Sequence, residues 1–168
     1  LSPASGRGTG DAGACEDSAE RDQLNRFLLD VNTLLALLDP RHVFHEAAHA
    51  WAAHDSAARW LTSPIVQNGV IRVASHSRYP NHLGTSGAVR NVLRAFCADP
   101  RHEFCPDDIS LADDAHVAHH ELLTPSVITD VSLLALARHH RARLATFNRR
   151  IPVNAVPDGL AVLELLGG

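Results

Sequence analysis

The chain reads as an α/β fold: a three-layer α/β/α domain built on a parallel sheet. Three observations predict it. Short apolar runs alternate with longer helical patterns along the chain, as they do when parallel strands are joined by crossover helices that cover both faces of a sheet. Two of those runs end in a polar residue, Asp30 and Asn148, and ligands of such sheets bind beyond the carboxyl ends of the strands. The length of 168 residues with 45% hydrophobic content suits one domain with a sizeable core and leaves no room for a second.

Each element has its own warrant. Residues 27–32, Phe-Leu-Leu-Asp-Val-Asn, form a mostly apolar run that reads as a buried strand presenting Asp30 at its end. Residues 33–38 read as a short helix stopped by Asp39-Pro40. Residues 42–54 carry a helical pattern with several alanines, and Trp51 supplies a buried face. A second strand is expected over 60–65, followed by a helix over 66–76 and a turn-like stretch to Gly87. Residues 89–96 are helical again. Residues 102–105 look like a strand closed by a turn at Pro106-Asp107-Asp108, and 110–121 are expected to be helical. The helix from Thr129 to about His140 places Val131, Leu133, Leu134, Leu136 and Ala137 at helical rather than alternating spacing. Strands over 143–148 and 160–166 complete the sheet.

The first 26 residues differ from the rest. They are rich in Gly, Ser and Ala, with five acids against three arginines and no apolar periodicity. Such a stretch buries too little surface to offset its ordering entropy. It is expected to be a disordered tail (residues 1–26) ahead of the working domain (residues 27–168).

Composition excludes several classes. No apolar run approaches the roughly 20 residues that span a bilayer, and the first 26 lack the apolar core of a secretory signal. The net charge of −4 gives no global basic footprint of the kind nucleic-acid binders often show. Cys15, Cys97 and Cys105 are odd in number and lack metal-type pairing, so they read as free thiols of a reducing cytosol. The expected location is cytoplasmic.

Asp30 and Asn148 fall at expected strand ends, and Asp130 lies at a helix start. Three polar residues far apart in sequence thus share one rim. Three segments that carry them, Leu28-Leu29-Asp30-Val31-Asn32, Thr129-Asp130 with its Leu/Ala helix, and Leu144-Ala145-Thr146-Phe147-Asn148, resemble a PIN domain, best the VapC-type toxins of toxin–antitoxin pairs. Ser63-Pro64 with Gln67-Asn68-Gly69 and Arg72 is similar to a fourth stretch of that family, in the right order.

The resemblance implies metal-assisted RNA hydrolysis. In this family a carboxylate cluster holds Mg²⁺, a hard ion that prefers oxygen ligands; the ion lowers the pKa of a bound water and stabilises charge on the phosphate. Carried over, Asp30 and Asp130 are the metal-binding acids of an endoribonuclease using Mg²⁺, or Mn²⁺. Gln67 and Asn148 occupy the two remaining catalytic acid positions, where the family has Glu and Asp. The amides keep the size and one oxygen but lose the charge, which weakens metal binding. The alternative is therefore a disarmed PIN domain that still binds antitoxin or RNA. Glu121, Asp107, Asp108, Asp113 and Asp114 are further carboxylates available as substitutes, without a spacing argument for any. The implied partners are an RNA substrate, a VapB-type antitoxin and a second copy in a homodimer.

Two other features compete for attention. His45-Glu46-Ala47-Ala48-His49 is a literal HExxH, which on a helix puts two imidazoles on one face for Zn²⁺. The extended metzincin pattern fails, because Ala52 and Asp55 stand where Gly and His belong and the chain has no methionine. The plainer account is an amphipathic helix with imidazoles toward solvent or a partner and Trp51 in the core. Arg138, Arg141, Arg143, Arg149 and Arg150 surround the strand that ends at Asn148. Of these, Arg149 and Arg150 stand nearest the rim and are the candidate contacts to RNA phosphates.

Overall fold

The structure, a computed structural model, describes residues 25–167. The expected tail lies outside the described residues except at its end, where Arg26 already belongs to the first strand. The elements are β1 (Arg26–Leu29), α1 (Val31–Leu38), α2 (His45–His54), β2 (Arg59–Thr62), α3 (Pro64–Ala74), α4 (Ser86–Cys97), β3 (His102–Phe104), α5 (Ile128–His139), β4 (Arg143–Thr146) and β5 (Leu163–Leu165). Two short 3-10 turns, His120–Leu122 and Val153–Ala155, flank α5 and β4.

The five strands form one sheet in the order β3-β2-β1-β4-β5, and every pair is parallel. Leu28 of β1 faces Leu61 of β2 on one side and Leu144 of β4 on the other. All three are essentially without solvent contact, as expected for strands covered on both faces. The chain winds outward from β1 through β2 to β3, then returns to the other side of β1 with β4. The junction of β1 and β4 is therefore the topological switch point. A crevice opens there beyond the strand ends, and Asp30 and Asn148 follow those two strands.

The helices are set by local chemistry as well as by apolar pattern. The Asp30 side chain caps α1, and Thr85 Oγ1 caps α4 by accepting the Ala88 N–H at 3.2 Å. Proline opens α3 at a position where its missing N–H costs nothing. Helix α3 lies close on α1 because Gly69 has no side chain: a Cβ there would stand 2.6 Å from a Val31 methyl. Helix α5 buries Val131 and the unbroken run 133–137, which makes it the main helical contribution to the core.

A buried carboxylate ends α1. Asp39 is fully buried and accepts the Tyr79 hydroxyl at 2.7 Å, the Asn81 amide at 2.5 Å and the Arg41 N–H at 2.9 Å. It ties the turn after α3 to the C-terminal end of α1. Burial alone would raise its carboxyl; the hydrogen bonds from Tyr79, Asn81 and Arg41 outweigh that and hold it below its ordinary value. A depressed carboxyl stabilises the fold above the unfolded-state pKa and loses that stabilisation as pH falls through the depressed value. Asp39→Ala orphans three donors. It is expected to cost about 3 kcal/mol and to lower the melting temperature by roughly 6–12 °C. Calorimetry at pH 7 and at pH 3 checks both points: the difference from wild type should narrow in acid.

The order of strands and helices matches the sequence-based expectation, with shifted bounds: Val31 and Asn32 open α1, Pro64 and Ile65 open α3, and β4 ends at Thr146. Two further stretches differ more. Residues 110–121 are not an α-helix. They form turns that end in the 3-10 turn at His120–Leu122. Ser110 Oγ accepts the Ala112 N–H and Asp113 Oδ1 the Ala115 N–H, local bonds that compete with helix. The Ala118 N–H is drawn off to the Ala155 carbonyl. The last strand is shorter than expected because Asp158, at φ 54, and the turns after it hold the chain out of the sheet until Leu163.

Candidate active site

Asp30 follows the central strand and is only 6% exposed. Its Oδ1 accepts the Thr33 N–H at 2.6 Å, and its Oδ2 accepts the Thr146 hydroxyl at 2.5 Å. Thr146 ends β4 and is buried; its oxygen in turn accepts the Asn148 N–H at 2.9 Å. The Thr33 hydroxyl donates to the Ala145 carbonyl at 3.1 Å, which stitches the start of α1 to β4. The carboxylate is thus held from both sides of the crevice, with each oxygen keeping a free lone pair.

Asp130 enters from the first turn of α5 and is half-buried. Asn148 reaches it: its amide Nδ2 donates to Asp130 Oδ2 at 2.9 Å, while its Oδ1 accepts the Arg150 N–H at 2.9 Å. Burial raises the Asp130 carboxyl above its ordinary value, the Asp30 charge raises it further, and the Asn148 hydrogen bond partly offsets both. Two carboxylates close enough to repel, with no basic side chain among their hydrogen-bond partners in the described residues, are a donor set that suits a hard divalent cation.

Of the four site positions expected from the sequence, the structure joins Asp30, Asp130 and Asn148 in one network. Gln67 stands apart from it. It projects from α3 toward β2 and the end of α4, donating to Thr62 Oγ1 at 2.9 Å and approaching Cys97 Sγ at 3.8 Å. Several of the substitute acids are engaged elsewhere. Asp107 accepts the Ile65 N–H, Asp108 pairs with His140, and Glu121 pairs with His119. Two residues of the network had no role assigned from the sequence: Thr33, and Thr146, which appeared only within the resembling segment. Their signals were present: a threonine three residues after Asp30, where a helix-capping side chain finds its N–H, and a threonine closing the strand two residues before Asn148.

Arg149 and Arg150 are exposed within two residues of Asn148, and neither forms an ion pair among the described residues. Arg138 and Arg143 are instead paired with Asp158 and Glu164. The HExxH imidazoles have a structural task. His45 Nδ1 bonds the Ala36 carbonyl at 2.8 Å and His49 Nε2 the Leu37 carbonyl at 3.0 Å, so they satisfy carbonyls left open at the end of α1. His45 is thereby half-buried against α1 rather than free toward solvent, while Trp51 packs at 5.1 Å on both Phe27 and Trp60.

A family model described as PIN domain matches residues 27–156. The chain belongs to the PIN-domain family, in its VapC group. Ribonuclease VapC44 of Mycobacterium tuberculosis is 42% identical over 132 residues, covering 79% of this chain and 92% of the relative. Ribonuclease VapC39 of the same species is 35% identical over 141 residues, covering 81% and 98%. Among solved structures, M. tuberculosis VapC20, a Sarcin-Ricin loop cleaving toxin, aligns with a TM-score of 0.55 at 15% identity over 79% of this chain and 97% of its own. VapBC2 from Rickettsia felis, bound to a DNA fragment from its promoter, aligns with a TM-score of 0.51 at 16% identity over 84% and 99%. At such identities the structural matches speak for the fold, which they place with VapC PIN domains.

The raised Asp130 carboxyl carries a pH prediction. Asp130 binds a proton more readily in the folded, metal-free state than in the unfolded chain, so the stability that its charge forfeits near neutral pH returns as pH falls through its raised pKa. The same proton competes with a cation. Any divalent cation held by these two acids is expected to bind more strongly as pH rises through that pKa and about tenfold more weakly per pH unit below it. Calorimetric titration with Mg²⁺ as the probe, from neutral pH downward, checks the slope.

Proposed function

We propose that this chain is a VapC-type toxin: an endoribonuclease that cleaves RNA phosphodiesters with Mg²⁺ and is held in check by a VapB-type antitoxin. The observation that carries the reading is the convergence of Asp30 and Asp130 at the switch point of a parallel sheet, in a chain 42% identical to a ribonuclease VapC. Asp30 and Asp130 would hold the ion. Bound there, it supplies an activated water and charge stabilisation at the phosphate.

The chain's own residues do the positioning. Thr33 and Thr146 fix both oxygens of Asp30. Asn148 orients Asp130 through a single hydrogen bond. Arg149 and Arg150 lie beside the rim, where phosphate contacts would fix the register of the RNA. A cytoplasmic homodimer paired with antitoxin is the working assembly; the VapBC2 structure, a toxin–antitoxin complex by its name, supports that kind of partner. RNA incubated with the full chain tests the reading. Cleavage that requires Mg²⁺ or Mn²⁺ and stops with EDTA is expected; metal-independent cleavage would refute it.

One observation favours a second reading, that of a disarmed domain which still binds antitoxin or RNA. The Asn148 amide turns its N–H₂, not its oxygen, toward Asp130, and Gln67 is bonded away from the cluster. Binding of RNA without turnover under Mg²⁺ would mark that state.

A further inference from the structure

At the far end of α5 from Asp130, three side chains bring ligand atoms together. His139 is the last residue of the helix and His140 its C-cap, at φ −87 and ψ 13. The helix ends there, so the two consecutive imidazoles need not diverge as they would within it; their centroids lie 5.0 Å apart. Both face Asp108, from the segment that leads from β3 toward α5. One carboxylate oxygen of Asp108 lies 2.7 Å from His140 Nε2 and 3.8 Å from His139 Nε2. A ligand atom from each of the three residues lies within 4.8 Å of the others. His116 joins from the same segment, its ring 5.6 Å from that of His139.

The framework beneath is anchored. Arg26 donates to the His140 carbonyl at 2.6 Å and to Glu103 at 2.8 Å, which fixes the helix end to β1 and β3. Asp130 and His140 are separated by about 15 Å along the helix axis at 1.5 Å per residue, so this cluster is not part of the candidate active site. Its chemistry differs as well. Two imidazoles and one carboxylate suit a borderline transition ion such as Zn²⁺, whereas Mg²⁺ takes all-oxygen sites with retained waters. Tetrahedral zinc with ligands at about 2.0–2.2 Å needs donor atoms roughly 3.3 Å apart. The two Asp108–imidazole separations, 2.7 and 3.8 Å, lie on either side of that value, and all three donors lie within 4.8 Å of one another.

We infer that Asp108, His139 and His140 form a structural Zn²⁺ site, with His116 or water in the fourth position. The bound ion cross-links residues 105–119, which contain no helix or strand, to the end of α5. That segment runs directly into the turns that precede Asp130, so zinc there restrains the β3–α5 connection without touching the nuclease acids.

The test uses the full, untagged chain stripped with EDTA. Zn²⁺ is titrated in competition with a chromophoric chelator, with millimolar Mg²⁺ present. One zinc per chain is expected, at micromolar affinity or tighter, with slower amide exchange across residues 105–119. His139→Gln and Asp108→Asn should each weaken binding at least about 30-fold. His116→Ala should weaken it less. Asp30→Ala and His45→Ala should leave it unchanged. Asp108, His116 and His139 are at least partly exposed, so their variants are expected to fold; melting curves check that Asp30→Ala, at a buried position, is folded as well. Imidazole ¹⁵N shifts of His139 and His140 on zinc addition to the unmutated chain give a readout that needs no variant. Absence of stoichiometric zinc overturns the inference. So does binding that survives His139→Gln and Asp108→Asn, or binding lost in Asp30→Ala or His45→Ala.

Discussion

Asp30→Ala is expected to reduce Mg²⁺-dependent RNA cleavage by at least about 1000-fold, to the level of the metal-free reaction. The magnitude follows from what the carboxylate does. It is one of two acids in the network, and an ion held by a single remaining acid is both weakly bound and misplaced; about 4 kcal/mol of transition-state stabilisation is at stake. The fold should survive. Removing the side chain forfeits the cap of α1, worth about 1 kcal/mol, and leaves the buried Thr146 hydroxyl without its acceptor. It also relieves the repulsion that raises Asp130. Asp30→Asn separates the two effects, since an amide oxygen still accepts from Thr33 or Thr146 but carries no charge. If Asp30→Asn melts near wild type and is as inactive as Asp30→Ala, the charge is what matters. Single-turnover cleavage with calorimetry on the same preparations decides it. Full activity in either variant would remove Asp30 from the site.

The fold was legible because its signals are local and repeated. Phe27-Leu28-Leu29 and Leu144-Ala145-Thr146 are too short and too apolar for surface helices, and the long Leu/Ala pattern from Val131 to Ala137 could only be a buried one. What sequence spacing misjudged is the stretch 110–121. There helical composition is overridden by Ser110 and Asp113 bonding their own backbone and by a tertiary bond from Ala118 to Ala155, which no window of sequence contains. The site divides the same way. Asp30, Asp130 and Asn148 were legible from their places at strand and helix ends. Gln67 was placed by resemblance alone, and its contacts run to Thr62 and Cys97 because its position on α3 turns it toward β2 and the end of α4. The HExxH pattern shows the converse. The spacing that would present two imidazoles to zinc also sets them one turn apart, opposite the Ala36 and Leu37 carbonyls, and those were the nearer partners. His139-His140 with Asp108 carried no such spacing, because the third member comes from a distant segment.

Asn148→Asp is expected to raise Mg²⁺ affinity and cleavage together, by about 10- to 100-fold, in a chain otherwise unchanged. The amide nitrogen now lies 2.9 Å from Asp130 Oδ2. Replacing it with a carboxylate oxygen turns a hydrogen bond into a contact between two anions. Without metal that contact is costly, so the variant should be less stable than wild type in EDTA, and Asp130 should titrate higher still. With Mg²⁺ the new carboxylate becomes a third acidic donor beside Asp30 and Asp130. The coupling corresponds to about 1.4–2.8 kcal/mol for a 10- to 100-fold gain, and bound ligand returns stability in proportion. The signature is therefore a crossover: lower melting temperature than wild type in EDTA, and a larger rise on adding Mg²⁺. Gln67→Glu alone should do much less, because its contacts lie toward Thr62 and it would exchange a donor to that hydroxyl for an acceptor. If Gln67→Glu alone restores activity and Asn148→Asp does not, the working acid approaches from α3 and the crevice must close around Gln67. If neither variant cleaves while both bind Mg²⁺ and RNA, the domain's present role is binding.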